Sequence, residues 1–112
     1  MNFTRLLLII PAYGWLILSA LFFAAGEFLS KKWGMAPSLS ATVLVVIAYA
    51  LGTLTWLPAL LHKNQLAVMG TIWLVLATVA TVTIGTVVYH EPLSARQWVG
   101  VVLSLTAFVL LA

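Results

Sequence analysis

Glu27 stands inside a run at 6–29 that is otherwise almost continuously apolar, and it is one of only two acids in the chain. A carboxylate among membrane helices costs roughly 2.5–3.5 kcal/mol at a helix centre unless it is paired, protonated or wetted, so its presence marks a place where a proton, an ion or a cargo is bound. Lys31 follows four residues later, in the order that favours an intrahelical ion pair. Two readings stand at this level: a working carboxylate that faces a cavity, or a neutralised Glu27–Lys31 pair near the membrane interface.

Other polar residues recur at helical spacing. Positions seven apart nearly coincide in angle on a helix, and those three or four apart are neighbours. Glu27 shares a face with Ser19, Ala20, Phe23, Ala24, Ser30 and Lys31. Thr42, Tyr49 and Trp56 form a second stripe with Thr53 beside it, and Thr71, Thr78 and Gly85 form a third with Thr81 close by. Three helices thus each offer a less apolar stripe, and these can converge on one cavity. The plainer alternatives are hydroxyls that bond their own helix and aromatics, among them Trp15, Trp33, Trp73 and Trp98, that sit in an interfacial belt.

Gly100, Ser104 and Ala107 lie along one side of the last apolar run, where small residues permit close helix–helix contact. His62, His90 and Glu91 fall in connecting segments with no third ligand at helical spacing, so no metal site is expected. There is no cysteine, no nucleophile–base–orienter set and no glycine-rich phosphate loop. Neither enzymatic activity nor a cofactor is expected.

The elements that must position these residues follow from composition. Of 112 residues, 64% are hydrophobic and 6% charged, which is too little charge to cover a water-soluble domain, so lipid is the natural solvent. Four apolar runs, at about 6–29, 40–61, 66–88 and 95–112, approach the roughly 20 residues a helix needs to cross a bilayer. The expected fold is a single four-helix transmembrane domain over 1–112, all-α because backbone groups in lipid must be satisfied internally. Arg5 before an apolar run, with Ala24-Ala25-Gly26 later, has the outline of a signal peptide, but the run is longer than a signal core.

The basic residues Arg5, Lys31, Lys32, Lys63 and Arg96 all flank apolar runs and read as interface anchors, not as a nucleic-acid surface. Arg5 and Lys63 fall on one side of the membrane; Lys31, Lys32 and Arg96 fall on the other. That small bias fits a cytoplasmic second side, or a chain that inserts both ways and pairs with an inverted copy of itself. Gly34 and Pro37 are expected to break the first helix after the two lysines, and Ser38 or Ser40 to cap the second. Pro11 marks a start for the regular helix, Pro58 a helix end or hinge, and Pro92 a helix end with Ser94 as a cap.

The segment His90-Glu91-Pro92-Leu93-Ser94-Ala95-Arg96-Gln97-Trp98-Val99-Gly100, with four short helices and an acid in the first, resembles the drug/metabolite transporter superfamily. The stretch 90–112 looks like the end of an EamA-type repeat, and the length resembles the small multidrug resistance proteins and small subunits that flip polyprenyl-phosphate-linked sugars. The resemblance implies a dimer, often antiparallel, with Glu27 as the acid that binds a proton or a cationic cargo in turn. It also implies that Gly100 and Ala107 belong to a dimer-contact motif. The third helix departs from the small multidrug resistance pattern: Gly70 precedes Trp73, and Val75 and Ala77 follow it.

The leading expectation is a small transporter in the inner membrane of a bacterium or archaeon. It forms an antiparallel, dual-topology homodimer and exports a small organic or cationic compound by alternating access with proton coupling. Glu27 takes the proton or cargo, Tyr49, Trp56 and Trp73 shape the cavity, and Gly100, Ser104 and Ala107 make the dimer contact. Membrane lipid and a small-molecule substrate are the expected partners. The alternatives are a lipid-linked sugar flippase subunit, in which Lys31, Lys32 and Arg96 hold a phosphate, and a non-transporting membrane scaffold.

Overall fold

A computed structural model describes residues 3–62 and 65–111. Met1, Lys63 and Ala112, which enter the reading of spans and charges, lie outside this set. The elements are α1 (Phe3–Leu8), α2 (Ala12–Met35), α3 (Leu39–His62), α4 (Leu66–Thr83), a π-helical turn over Ile84–Val88, and α5 (Ala95–Leu111). No strand occurs among the described residues. Ala12–Met35, Leu39–His62 and Leu66–Val88 are each long and apolar enough to cross a membrane. This is the make-up of an all-α integral membrane protein.

Local chemistry sets the helix ends. Pro11 is extended (φ −60°, ψ 157°) and precedes the first turn of α2, where its missing N–H is no loss. The first long helix therefore begins at Ala12, not at 6. The apolar residues before it form the separate α1, tied back by a 2.7 Å bond from Trp15 Nε1 to the Leu7 carbonyl. At the other end, the break falls inside the segment expected to carry it, at Ala36 just before Pro37. Helix α2 runs through Gly34 to Met35, because one glycine costs a helix only about 1 kcal/mol. Ser38 caps α3 by accepting from the Ala41 N–H at 3.1 Å.

Pro58 lies one turn before the end of α3, which continues past it to His62, with Pro58 buried. Ser94 and Gln97 form a reciprocal capping box at the start of α5: the Gln97 N–H donates to Ser94 Oγ (3.2 Å) and the Ser94 N–H to Gln97 Oε1 (2.8 Å). Helix α5 has 17 residues, about 25 Å of rise against a hydrocarbon core of about 30 Å.

The Cα positions fill a slab of 49 × 39 × 17 Å. Helices pack at about 8–10 Å between axes, so a body this thin and broad is close to a single row of helices. The row runs α3, α2, α4, α5: α2 packs along α3 and against α4, α3 and α4 touch each other briefly, and α5 packs on α4 alone. The apolar core is correspondingly small. Leu16, Ala59 and Met69 are fully buried where the start of α2, the end of α3 and the start of α4 meet. Most large apolar side chains face outward, as expected where lipid and not water is the solvent. Beyond the core, α3 and α4 diverge along α2 and leave a groove between them.

Candidate functional site

Three tiers follow one another along α2, starting from the core at Leu16. The first beyond it is an aromatic cavity of ≈440 Å³ with walls from α2, α3 and α4. Phe23 stacks at a tilt on Tyr49, with ring centroids 5.5 Å apart, and edge-to-face on Trp73 at 5.0 Å; Trp56 and Trp73 meet edge-to-face at 6.2 Å. At the cavity floor, Trp73 Nε1 donates to Ser19 Oγ (3.0 Å), and Ser19 Oγ donates to the Gly52 carbonyl (2.7 Å). Ser19 is fully buried. Its hydroxyl therefore satisfies a buried indole and a backbone carbonyl at once, across three helices, and fixes the Trp73 ring as a wall.

The next tier is a polar chamber of ≈310 Å³ bounded by Glu27, Ser30 and Lys31 of α2, Thr81 of α4, the π turn and Glu91. Tyr49 divides the two spaces. Its ring lines the aromatic cavity, and its hydroxyl donates to Glu27 Oε1 at 2.8 Å. Ser30 Oγ, which donates to the Gly26 carbonyl (2.7 Å), lies 3.2 Å from the Tyr49 hydroxyl. Gly26 makes this contact possible: a Cβ there would sit 2.6 Å from Tyr49 Cε1. The absence of a side chain lets the phenol ring rest on the α2 backbone and bring its hydroxyl to the carboxylate one residue on.

The chamber's outer end is built by an irregular turn. The Tyr89 N–H bonds the Ile84 carbonyl (3.1 Å) and the Glu91 N–H bonds the Gly85 carbonyl (2.9 Å), both wider than an α-helical bond. His90, in the left-handed region at φ 54°, reverses the chain. Glu91 is turned back over Gly85, where a Cβ would meet its Oε2 at 3.0 Å. Lys31 Nζ pairs with Glu91 Oε1 at 2.6 Å, both side chains about 43% exposed, and lies 5.9 Å from the Tyr89 ring centroid. Tyr89 in turn donates to the Phe28 carbonyl at 2.9 Å. The turn is thus tied to α2 twice. π-Helical turns are rare and frequently lie at functional sites.

The Glu27–Lys31 pair allowed by sequence spacing is not formed. Lys31 is engaged by Glu91, and among the described residues Glu27 has one hydrogen-bond donor, the Tyr49 hydroxyl, but no ion-pair partner. Lys32 turns away over the Phe28 ring, 5.7 Å from its centroid.

Tyr49, Trp56 and Trp73 lie on one cavity, and Glu27 on the adjoining chamber, joined to them through the Tyr49 hydroxyl. The three stripes converge only in part. Thr53 lines the aromatic cavity, and Thr81 and Gly85 line the chamber. Thr42 instead accepts from Trp33 Nε1 (2.8 Å), and Thr71 bonds its own helix at the Ala67 carbonyl (2.5 Å). Gly100 and Ala107 are exposed and Ser104 half-buried, its Oγ donating to the Val101 carbonyl; a Cβ at Gly100 would have nothing within 4 Å. The residue that sequence spacing missed is Glu91. Its presence as the second of two acids was visible; its position against Lys31 was not. Among the described residues no cluster of His, Asp and Glu has the makings of a metal site.

Comparison with protein-family models, with curated proteins and with solved structures finds no match to this chain.

Proposed function

We propose that this chain is a small membrane transporter of the drug/metabolite type that exports a small organic cation in exchange for protons, working by alternating access in an antiparallel homodimer. The observation that carries the reading is Glu27: a carboxylate about 22 Å along α2 from its start, without an ion-pair partner among the described residues, at the edge of an aromatic cavity. An unpaired acid beside Tyr49, Trp56 and Trp73 suits a cation with an apolar body. The ring faces attract the positive charge, and the carboxylate binds either that charge or a proton.

The single row of helices encloses neither space, so a second copy supplies the missing wall. Helix α5 contacts α4 only and buries none of its residues, which leaves the Gly100, Ser104 and Ala107 side open for the partner. In this arrangement α5 is the fourth crossing helix of each subunit, and the assembly resides in the inner membrane of a bacterium or archaeon. The family part of this reading rests on the resemblance of the stretch at 90–112 to the end of an EamA-type repeat. The flippase reading is weaker because Lys31, one of the cations it assigns to a phosphate, is neutralised by Glu91.

The test is uptake of tetraphenylphosphonium into proteoliposomes under an imposed proton gradient. The parent accumulates the cation and Glu27→Gln does not. Equal uptake with the same pH dependence in both removes Glu27 from the mechanism. No uptake by a well-folded parent, which instead stays monomeric, favours a scaffold.

A further inference from the structure

We infer that Lys31 is an exchangeable counter-ion, held by Glu91 when Glu27 carries a cation and able to move to Glu27 when it does not. The polar chamber holds two carboxylates, Glu27 and Glu91, and one ammonium. Tyr49, Ser30, Thr81 and Tyr89 add only hydroxyls, and Lys32 points away over Phe28. One positive charge cannot serve both acids at once. In the observed arrangement it serves Glu91 at 2.6 Å and leaves Glu27 open.

The alternative partner is close at hand. Glu27 and Lys31 are one helical turn apart on the same face, in the order that favours pairing, so rotation of the lysine side chain alone brings Nζ to the Glu27 carboxylate. That movement has a structural consequence. The Lys31–Glu91 pair and the Tyr89 bond to the Phe28 carbonyl are the two polar ties between α2 and the turn that walls the chamber's outer end, beside the Phe28–Tyr89 ring contact. Shifting Lys31 to Glu27 removes the first tie and leaves the second. A cation seated on Glu27 repels Lys31 towards Glu91 and restores it. Occupancy of the inner acid and closure of the outer wall are therefore linked through one side chain. Lys31 and Glu91 are positioning residues that never touch the cargo.

The inference rests on the proposed function only where a cargo cation is concerned, so its test has an arm that needs none. A hydrophobic carbodiimide joins a lysine to a carboxylate in contact with it, forming an amide as the reagent takes up the water lost. With only two acids in the chain, mass spectrometry of the peptides identifies each product. In the full-length parent without added cation, both Lys31–Glu91 and Lys31–Glu27 products are expected, and tetraphenylphosphonium suppresses the second. In Glu91→Gln, only Lys31–Glu27 forms, and tetraphenylphosphonium binds about fivefold more weakly, the scale of a partly exposed ion pair. Glu91→Gln/Lys31→Gln recovers the parent's affinity, which loss of structure at Glu91 would not permit.

Absence of the Lys31–Glu27 product from both the parent and Glu91→Gln overturns the inference, and so does a double variant that binds as weakly as the single one. If the crosslinks switch as described but no form binds the cation, the exchange stands and the transport reading fails.

Discussion

The Tyr49 hydroxyl donates a 2.8 Å hydrogen bond to the Glu27 carboxylate across the α2–α3 contact, while the same ring forms a wall of the aromatic cavity. One side chain thus belongs to both spaces. A ligand that displaces the ring disturbs the acid, and a change at the acid is felt at the ring.

Tyr49→Phe keeps the ring and removes the donor. Hydrogen bonds to charged groups are worth about 1.5–3 kcal/mol when buried; Tyr49 and Glu27 are only partly buried, so a loss of about 1 kcal/mol in unfolding free energy is expected. Tyr49→Ala also opens the cavity wall and should lose about 3 kcal/mol or more. Denaturant titration of helicity in detergent micelles measures both. Equal losses for the two variants would mean that the ring contributes nothing beyond its hydroxyl.

Gly26→Ala is the sharpest steric test of the same contact. The added Cβ would lie 2.6 Å from Tyr49 Cε1, so the ring must move off α2 and its bond to Glu27 must lengthen or break. Overpacking of this kind costs about 1–3 kcal/mol. Gly34→Ala, in the same helix with nothing within 4 Å, should be neutral or gain up to about 1 kcal/mol. The order of the two midpoints on unfolding checks the comparison.

Ser19→Ala deletes the hydroxyl shared by Trp73 Nε1 and the Gly52 carbonyl. Each buried group left without a partner costs about 1–3 kcal/mol, and the Trp73 ring loses its anchor. The expected result is a less stable chain with a shifted indole emission maximum, read in a background where the other four tryptophans are replaced by phenylalanine. Unchanged emission would show that Trp73 is held by its ring contacts alone.

Gly100→Leu separates folding from assembly. A Cβ at Gly100 meets nothing within 4 Å in the single chain, so helicity and unfolding midpoint should stay near those of the parent. If the Gly100, Ser104 and Ala107 side is the subunit contact, the dimer fraction by light scattering in detergent falls at least about tenfold, because bulky side chains prevent the close approach small residues allow. A dimer of parental strength would place the contact elsewhere.

Much of the architecture was legible in the chain itself. Apolar runs of bilayer length have few options other than helices, since lipid offers no partner for backbone N–H and C=O groups. Pro11 before α2, Ser38 before α3, and Ser94 with Gln97 at α5 are local signals that act through neighbouring residues, and each is found at a helix start. Glu27 stood out for the same reason, as a charge among apolar neighbours in sequence. Pro37 likewise lies just past the end of α2. By contrast, α2 continues through Gly34 and α3 for one turn past Pro58, because the cost of one such residue near a helix end is outweighed by packing of the surrounding turns.

Tertiary structure decided the partner of Lys31. Local spacing favoured Glu27, yet the π turn after α4 and the left-handed His90 bring Glu91 to it from the far end of the third long helix. It also decided that Tyr49, Trp56, Trp73 and Phe23 share one cavity while Thr42 and Thr71 do not. Helical periodicity fixes which residues share a face; it carries no information on which face meets which neighbour, or at what depth, and that depends on how α3 and α4 pack against α2.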